Sequence, residues 1–222
     1  MVKLLENTFR AVNIALVNEV AMMSRRLGLD PFEVIRVAAT KPFGFMPFYP
    51  GPGPGLGGHC IPIDPLYLSW KLKSLKYQAR FIELTDTINS AMPGYVVERI
   101  TNALNDHERA VRGSRILVYG VAYKRDVSDV RESPAISIIH DLVARGARVA
   151  YCDPHVPKLD EDGVRLESID PTQSFEAWDA VVVVTDHSAL DRKRLLAEAR
   201  LVVDTRDALR GVPGDRSKVH GL

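Results

Sequence analysis

The sequence predicts an α/β chain in two parts: an all-helical first part opened by a long helix, then a parallel sheet covered by helices on both faces. Three observations predict it. Apolar residues recur at helical spacing through the first hundred positions, no strand pattern occurs before Asn105, and short apolar runs alternate with amphipathic segments afterwards.

The first helix is expected from about Val2 to Leu27, with Leu5, Phe9, Val12, Leu16, Val20 and Met23 forming its apolar stripe and Gly28 closing it. "LDP" starts a second helix with Asp30 as cap and Pro31 in the first turn. After Thr40 the pattern gives way to "FYPGPGPGLGGHCIPIDP", from Phe48 to Pro65. Glycine lets backbone approach a ligand closely and proline freezes the chain between such points, so this is a shaped loop around one cysteine, Cys60. Asp64 and Pro65 repeat the cap-plus-proline signal before "PLYLSWKLKSLK". "ARFIELTDTINSAM" and "GYVVERITNALN" continue as helix, with Pro93 expected as a kink or break between them.

The polar stretch "NDHERAVRGS" marks a domain boundary near Arg112, dividing a helical domain, 1–112, from a sheet domain, 113–222. "ILVYGVAY", "ARVAYCDP", "DAVVVVTD" and "RLVVDTRD" read as strands, and "SPAISIIHDLVARG" and "RKRLLAEA" as helices between them. This alternation is a Rossmann-like doubly wound layout, in which ligands sit at the carboxyl ends of the strands. The tail "GVPGDRSKVHGL" is expected to fray.

Composition narrows the function classes. The chain has 222 residues and a formal net charge of +1, with no basic run dense enough to hold a nucleic-acid backbone. Its amino terminus is too polar for a signal peptide, and no apolar stretch spans a bilayer, so a cytoplasmic setting is expected. Cys60 and Cys152 have neither a disulfide framework nor zinc-ligand spacing, and no metal site is expected. Cys152 ends a buried strand and reads as a small apolar side chain.

The chemistry-bearing candidates fall in three places. Cys60 precedes a helix start, where local dipoles and a lysine favour a thiolate, and Asp64 lies four positions on. His59 adjoins Cys60, but neighbours on an extended loop point apart, so a Cys-His dyad is disfavoured. On the first helix Lys3 and Asn7 share one face, with Arg10 next along it. The first strand of the sheet domain ends in "GVAYKRDVSDVRESPA", where Lys124 and Arg131 stand in place of the usual glycine turn and can supply positive charge to phosphates. The competing reading is a solvated loop whose charges pair with Asp126, Asp129 and Glu132. Ser133 and Pro134 give the following helix its cap and first residue.

"KLLENTFRAVNIALVNE", "GPGLGGHCIPIDP" and "GVAYKRDVSDVRESPA", in this order, resemble the nucleotide-sugar 6-dehydrogenases that act on UDP-glucose, GDP-mannose and UDP-N-acetylhexosamines. "KPFGF" and "GGHCIPIDP" most resemble the UDP-N-acetylglucosamine subgroup, with the N-acetylmannosamine enzymes close behind. The resemblance implies that NAD oxidises a sugar C6 alcohol twice, with Cys60 carrying a thiohemiacetal and then a thioester. It makes Lys3 and Asn7 the groups that hold the developing oxyanion, and Asp64 the proton-transfer and water-activating carboxylate. Tyr49, Pro50, Gly51, Pro52, Gly53 and Gly57 become a sugar-binding segment, Lys124 a substrate contact and Arg131 an NAD contact. It also implies a homodimer built on the long helix.

Two departures stand out. Ile63 occupies a position where UDP-glucose enzymes commonly carry lysine. Family members have an NAD-binding Rossmann domain ahead of the long helix with which this chain opens, and no GxGxxG fingerprint replaces it here. The chain is therefore expected to be a fragment with no turnover of its own. An idle dimerisation and UDP-binding module is one alternative, UDP-glucose or GDP-mannose in place of an N-acetylhexosamine as the parent's substrate is another, and a cysteine hydrolase is a weaker one.

Overall fold

Helical periodicity in the first part of the chain becomes four helices in the computed structural model, which describes residues 1–50 and 60–222. Helix α1 (Val2–Arg26) ends where Gly28 adopts φ +71 and the Leu29 N–H reaches back 2.8 Å to the Ser24 carbonyl. Helix α2 (Pro31–Ala38) is capped as expected, the Asp30 carboxylate accepting from the Phe32 N–H at 2.9 Å. Helix α3 (Asp64–Ser74) corrects an expectation. Asp64 is its first residue and not its cap, and its carboxylate is turned toward α1.

Helix α4 (Arg80–Asp106) runs as a single 27-residue element through Pro93. Of the kink or break expected there, the break does not form. Proline removes one N–H and so one intrahelical bond, but Met92, Val96, Val97 and Ile100 beside it are fully buried, and each contributes roughly 1.5–3 kcal/mol. Burial on that scale outweighs one lost bond.

The second part is a five-stranded sheet, all parallel, in the order β2-β1-β5-β6-β7. Its strands are β1 (Arg115–Tyr119), β2 (Arg148–Cys152), β5 (Ala180–Val183), β6 (Val202–Asp204) and β7 (Val219–Gly221). Between β2 and β5 an antiparallel hairpin, β3 (Lys158–Glu161) and β4 (Val164–Glu167), turns on Asp162 and Gly163 with φ +48 and +81. Helix α5 (Pro134–Ala144) follows β1 and helix α6 (Arg192–Glu198) follows β5. Ile116, Val118, Val182 and Val203 face α4 and α5, while Leu117, Tyr119, Val181, Val183 and Val202 face the other side with α6. Alternate side chains thus enter two separate cores, the pattern of a sheet covered on both faces.

The tail is also corrected. Residues 219–221 pair with β6 and Leu222 is fully buried. Arg99 of α4 donates to the Gly221 carbonyl at 3.2 and 3.1 Å, and Arg25 of α1 donates to that of Leu222. Two helical guanidiniums hold the edge strand in place.

Gly120, at the turn where β1 ends, has φ +81, and a Cβ there would stand 2.4 Å from the Thr185 carbonyl oxygen. Gly120→Ala is expected to lower the unfolding free energy by roughly 2–4 kcal/mol, read from the urea midpoint at unchanged slope; an unshifted midpoint would contradict this packing.

Candidate active site

Helix periodicity places Lys3 and Asn7 on one side of α1, and both reach the first residue of α3. The Lys3 ammonium lies 3.0 Å from Asp64 Oδ2, and the Asn7 amide donates to the same oxygen at 2.7 Å. Asp64 sits one helical turn beyond Cys60, its N–H donating to the Cys60 carbonyl at 2.9 Å. The four residues expected to act together therefore meet. Lys3 is held more basic than an ordinary lysine, first by its bond to Asp64, then by that carboxylate's charge, and further by Cys60. It is the permanent cation of this group, and Cys60 is a half-buried free thiol beside it.

Arg131 also feels Cys60, although its stronger partner is Asp129, which accepts from Nε at 2.9 Å and from Nη2 at 2.6 Å. One pair of the solvated-loop reading is thus present: Arg131 is exposed and already tied to Asp129. Lys124 is exposed, with its ammonium 5.4 Å from the Tyr123 ring. A cavity of about 340 Å³ separates Ile61, Pro62 and Ile63 from α4 and from Glu132, Ser133 and Pro134 at the start of α5.

Tyr49 stacks on Phe32 with ring centroids 6.2 Å apart, and Pro50 is buried. Gly51, Pro52, Gly53 and Gly57, with His59, lie outside the described residues. The Pro50 carbonyl accepts from Arg206 Nη1 at 3.0 Å, which joins the loop preceding the cysteine to the carboxyl end of β6.

Sequence reasoning missed Arg206. Its side chain is 22% exposed, and burial lowers its pKa while Asp186 and Asp204 oppose that shift. Arg125, Arg192 and Arg206 all approach Asp186, at 3.9, 3.9 and 3.7 Å. Arg125 also lies 3.8 Å from Asp126, and Asp204 acts on Arg206, so the guanidiniums here are balanced by carboxylates; what they offer a diphosphate is a cluster of forked donors at one sheet edge. The available signal was its place: "VVDTRD" puts Arg206 just past a strand's carboxyl end, as "GVAYKRD" puts Lys124.

Cys152 is buried, as expected, and burial followed by the adjacent Asp153 charge pushes its thiol up to about 11. At pH 8 an alkylating reagent is expected to label Cys60 and to label Cys152 at least about a hundredfold more slowly, because few Cys152 thiols are ionised. Both are expected to react in denaturant, and peptide mapping reads the ratio. Equal labelling of the folded chain would contradict the assignment.

Comparison with known proteins now bears on this geometry. Residues 1–91 match the central domain of the UDP-glucose/GDP-mannose dehydrogenase family, and residues 117–211 match that family's UDP binding domain. The chain is similar to the UDP-N-acetyl-D-glucosamine 6-dehydrogenase of Pseudomonas aeruginosa, 36% identical over 188 residues, covering 84% of this chain and 43% of that protein. It is 36% identical over 189 residues to the UDP-N-acetyl-D-mannosamine dehydrogenase of Methanococcus maripaludis, covering 85% of this chain and 41% of that one. The structure of the UDP-D-ManNAc dehydrogenase from Pyrococcus horikoshii superposes with a TM-score of 0.83 at 31% identity, over 100% of this chain and 50% of that one. The chain thus spans about half the length of these relatives. With both domain matches in order along one fold, it belongs to the UDP-glucose/GDP-mannose dehydrogenase family.

Proposed function

We propose that this chain forms the covalent-catalysis and nucleotide-binding part of a UDP-N-acetylhexosamine 6-dehydrogenase. The observation that carries this reading is the meeting of Lys3 and Asn7 on the Asp64 carboxylate, one turn from the Cys60 thiol. The names of the similar enzymes favour an N-acetylhexosamine over glucose or mannose as the sugar.

NAD, when bound, accepts the hydrides. Arg131, exposed and electrostatically coupled to Cys60, suits an anionic contact with it. The β1–α5 turn does not suit its pyrophosphate: the glycine there is packed against Thr185, so there is no open cradle. This chain's residues do the remaining work. The Cys60 thiolate adds to the C6 aldehyde, and the covalent bond keeps that aldehyde in place. Lys3 and the Asn7 amide donate to the oxyanion that forms. Asp64, held by those same two side chains, takes a proton from the water that releases the acid. Lys124 and Arg206 bind the substrate diphosphate.

A homodimer through α1 belongs to the same proposal. Phe9, Leu16 and Met23, seven residues apart, remain about half exposed, and Leu5 is 68% exposed. The face of α1 that packs within the chain is a different one, lined by Ala11, Ile14, Ala15, Val17 and Ala21. A half-exposed seven-residue apolar repeat, with Phe9 edge-on to Phe48, suits the seam of a helix pair. Leu16→Glu is expected to convert dimer to monomer in sedimentation velocity; a monomeric unvaried chain would refute the seam. A second reading, a binding module without turnover, is favoured by the missing cradle, and NAD reduction by this chain alone would rule it out.

Calorimetric titration tests the main reading. UDP and UDP-N-acetylglucosamine are expected to bind better than GDP-mannose, with Lys124→Ala and Arg206→Ala each weakening binding about tenfold or more, as expected for charge-assisted bonds worth roughly 1.5–3 kcal/mol. Unchanged affinity in both variants would overturn the assignment of the diphosphate site.

A further inference from the structure

We propose that His187 is the positioning residue for the loop that carries Lys124 and Arg125, acting as a neutral imidazole that ties this loop to the end of β2. The inference rests on the reading that this loop meets the substrate diphosphate.

His187 follows β5 and is fully buried. Its Nδ1 accepts the backbone N–H of Asp126 at 3.0 Å, and its Nε2 lies 3.0 Å from Asp153 Oδ2. A backbone N–H can only donate, so Nδ1 carries no proton. The ring proton therefore sits on Nε2 and is donated to Asp153.

Asp153, buried just past β2, also accepts from Val121 and Ala122 N–H at 2.8 and 3.0 Å through Oδ2, and from His155 N–H at 2.8 Å through Oδ1. Burial acts to raise this carboxyl's pKa, but the bonds from His187, Ala122 and His155 outweigh it and hold it below the ordinary value. The loop is thus fastened at residues 121–122 by Asp153 and at residue 126 by His187. Asp126 has φ +58, a left-handed conformation that aspartate adopts more readily than most residues and that turns the chain back. Its carboxylate is anchored as well, accepting from the Ser188 hydroxyl at 2.6 Å and the Ser188 N–H at 2.8 Å. Between the two fastenings only three residues remain, and two of them, Lys124 and Arg125, are exposed. The pins fix where two flexible cations start.

Two other readings of this cluster are weaker. Asp126, His155 and His187 bring ligand atoms within 4.8 Å of one another, as a metal site would require. The one imidazole lone pair of His187 is already taken by the Asp126 N–H, so metal binding would break the loop's support. An acid-base dyad needs a nitrogen facing substrate, and both nitrogens of this fully buried ring face protein.

The two nitrogens can be separated by substitution. In His187→Asn the side-chain carbonyl takes the place of Nδ1 and supports Asp126, whereas in His187→Gln the amide N–H takes the place of Nε2 and supports only Asp153. Hydrogen exchange by NMR is expected to show the Asp126 amide exchanging about tenfold faster in the Gln variant, and close to the unvaried rate in the Asn variant. UDP affinity is expected to follow the same split, lost about tenfold in Gln and largely kept in Asn, with Lys124→Ala as reference. Equal Asp126 exchange in all three proteins would overturn the proposal, as would affinity losses that track global stability in both variants. Should the unvaried chain bind no UDP, the diphosphate reading fails while the exchange pattern still decides the pin. Should neither variant fold, the ring ¹⁵N spectrum of the unvaried chain decides it: a protonated Nδ1 at neutral pH overturns the assignment.

Discussion

The burial of α4 in two different environments determines where everything else can stand. Its first half lies along α1, where Asn89 accepts from the buried Asn18 amide at 2.8 Å. Its second half, from Met92 to Leu104, lies in the same core as Ile116, Val118 and Ile138 of the α/β part. A rigid helix shared by two cores transmits position along its axis. Cys60, Lys3 and Asp64 belong to the helical side, and Lys124 and Arg206 to the sheet side, so the separation between thiol and cations is set by α4, which neither group occupies, together with the Arg206 bond to the Pro50 carbonyl. A flexible linker at residue 112 could not do this. The continuity through Pro93 keeps the two halves in fixed relation, which a break there would loosen.

The same division explains what could be read in the sequence. Strand β5 is legible because "AVVVV" is apolar throughout, which a strand buried on both faces requires. The hairpin is not, since β3 and β4 are rich in charge, yet the Asp162–Gly163 pair that turns it was a hairpin signal in plain view. Strand β7 carries almost no local signal: it pairs with β6, and Arg99 and Arg25, far away in sequence, donate to the Gly221 and Leu222 carbonyls at its end. The first-helix stripe was read as apolar, but which side of a helix is buried depends on what packs there, and alanines with Ile14 and Val17 took that side.

At the site, the cysteine motif and the helix spacing of Lys3 and Asn7 were legible, but the resemblance supplied their common purpose. Reading Asp64 as a cap failed because a carboxylate at a helix start has two uses, and the nearby ammonium of Lys3 and amide of Asn7 outcompeted the helix N–H groups. Arg206 and His187 were overlooked for another reason. Each is isolated in sequence, and each gains meaning only once the order β2-β1-β5-β6 brings four strand ends side by side.

That order also bears on the proposed diphosphate site. A glycine cradle presents backbone N–H groups and needs the turn to be open. Here the corresponding N–H groups, those of Val121 and Ala122, already donate inward to Asp153, and Gly120 is packed against Thr185. With the backbone donors committed to a buried carboxylate, attraction for an anion has to come from side chains. Long cations pay an entropic penalty when they are ordered by a ligand, and a loop fixed at both ends keeps that penalty to the side chains alone. In the proposed diphosphate site the buried Asp153–His187 pair and the exposed Lys124–Arg125 pair are therefore two ends of one arrangement: the first withdraws the backbone from the ligand, and the second supplies charge from a fixed base.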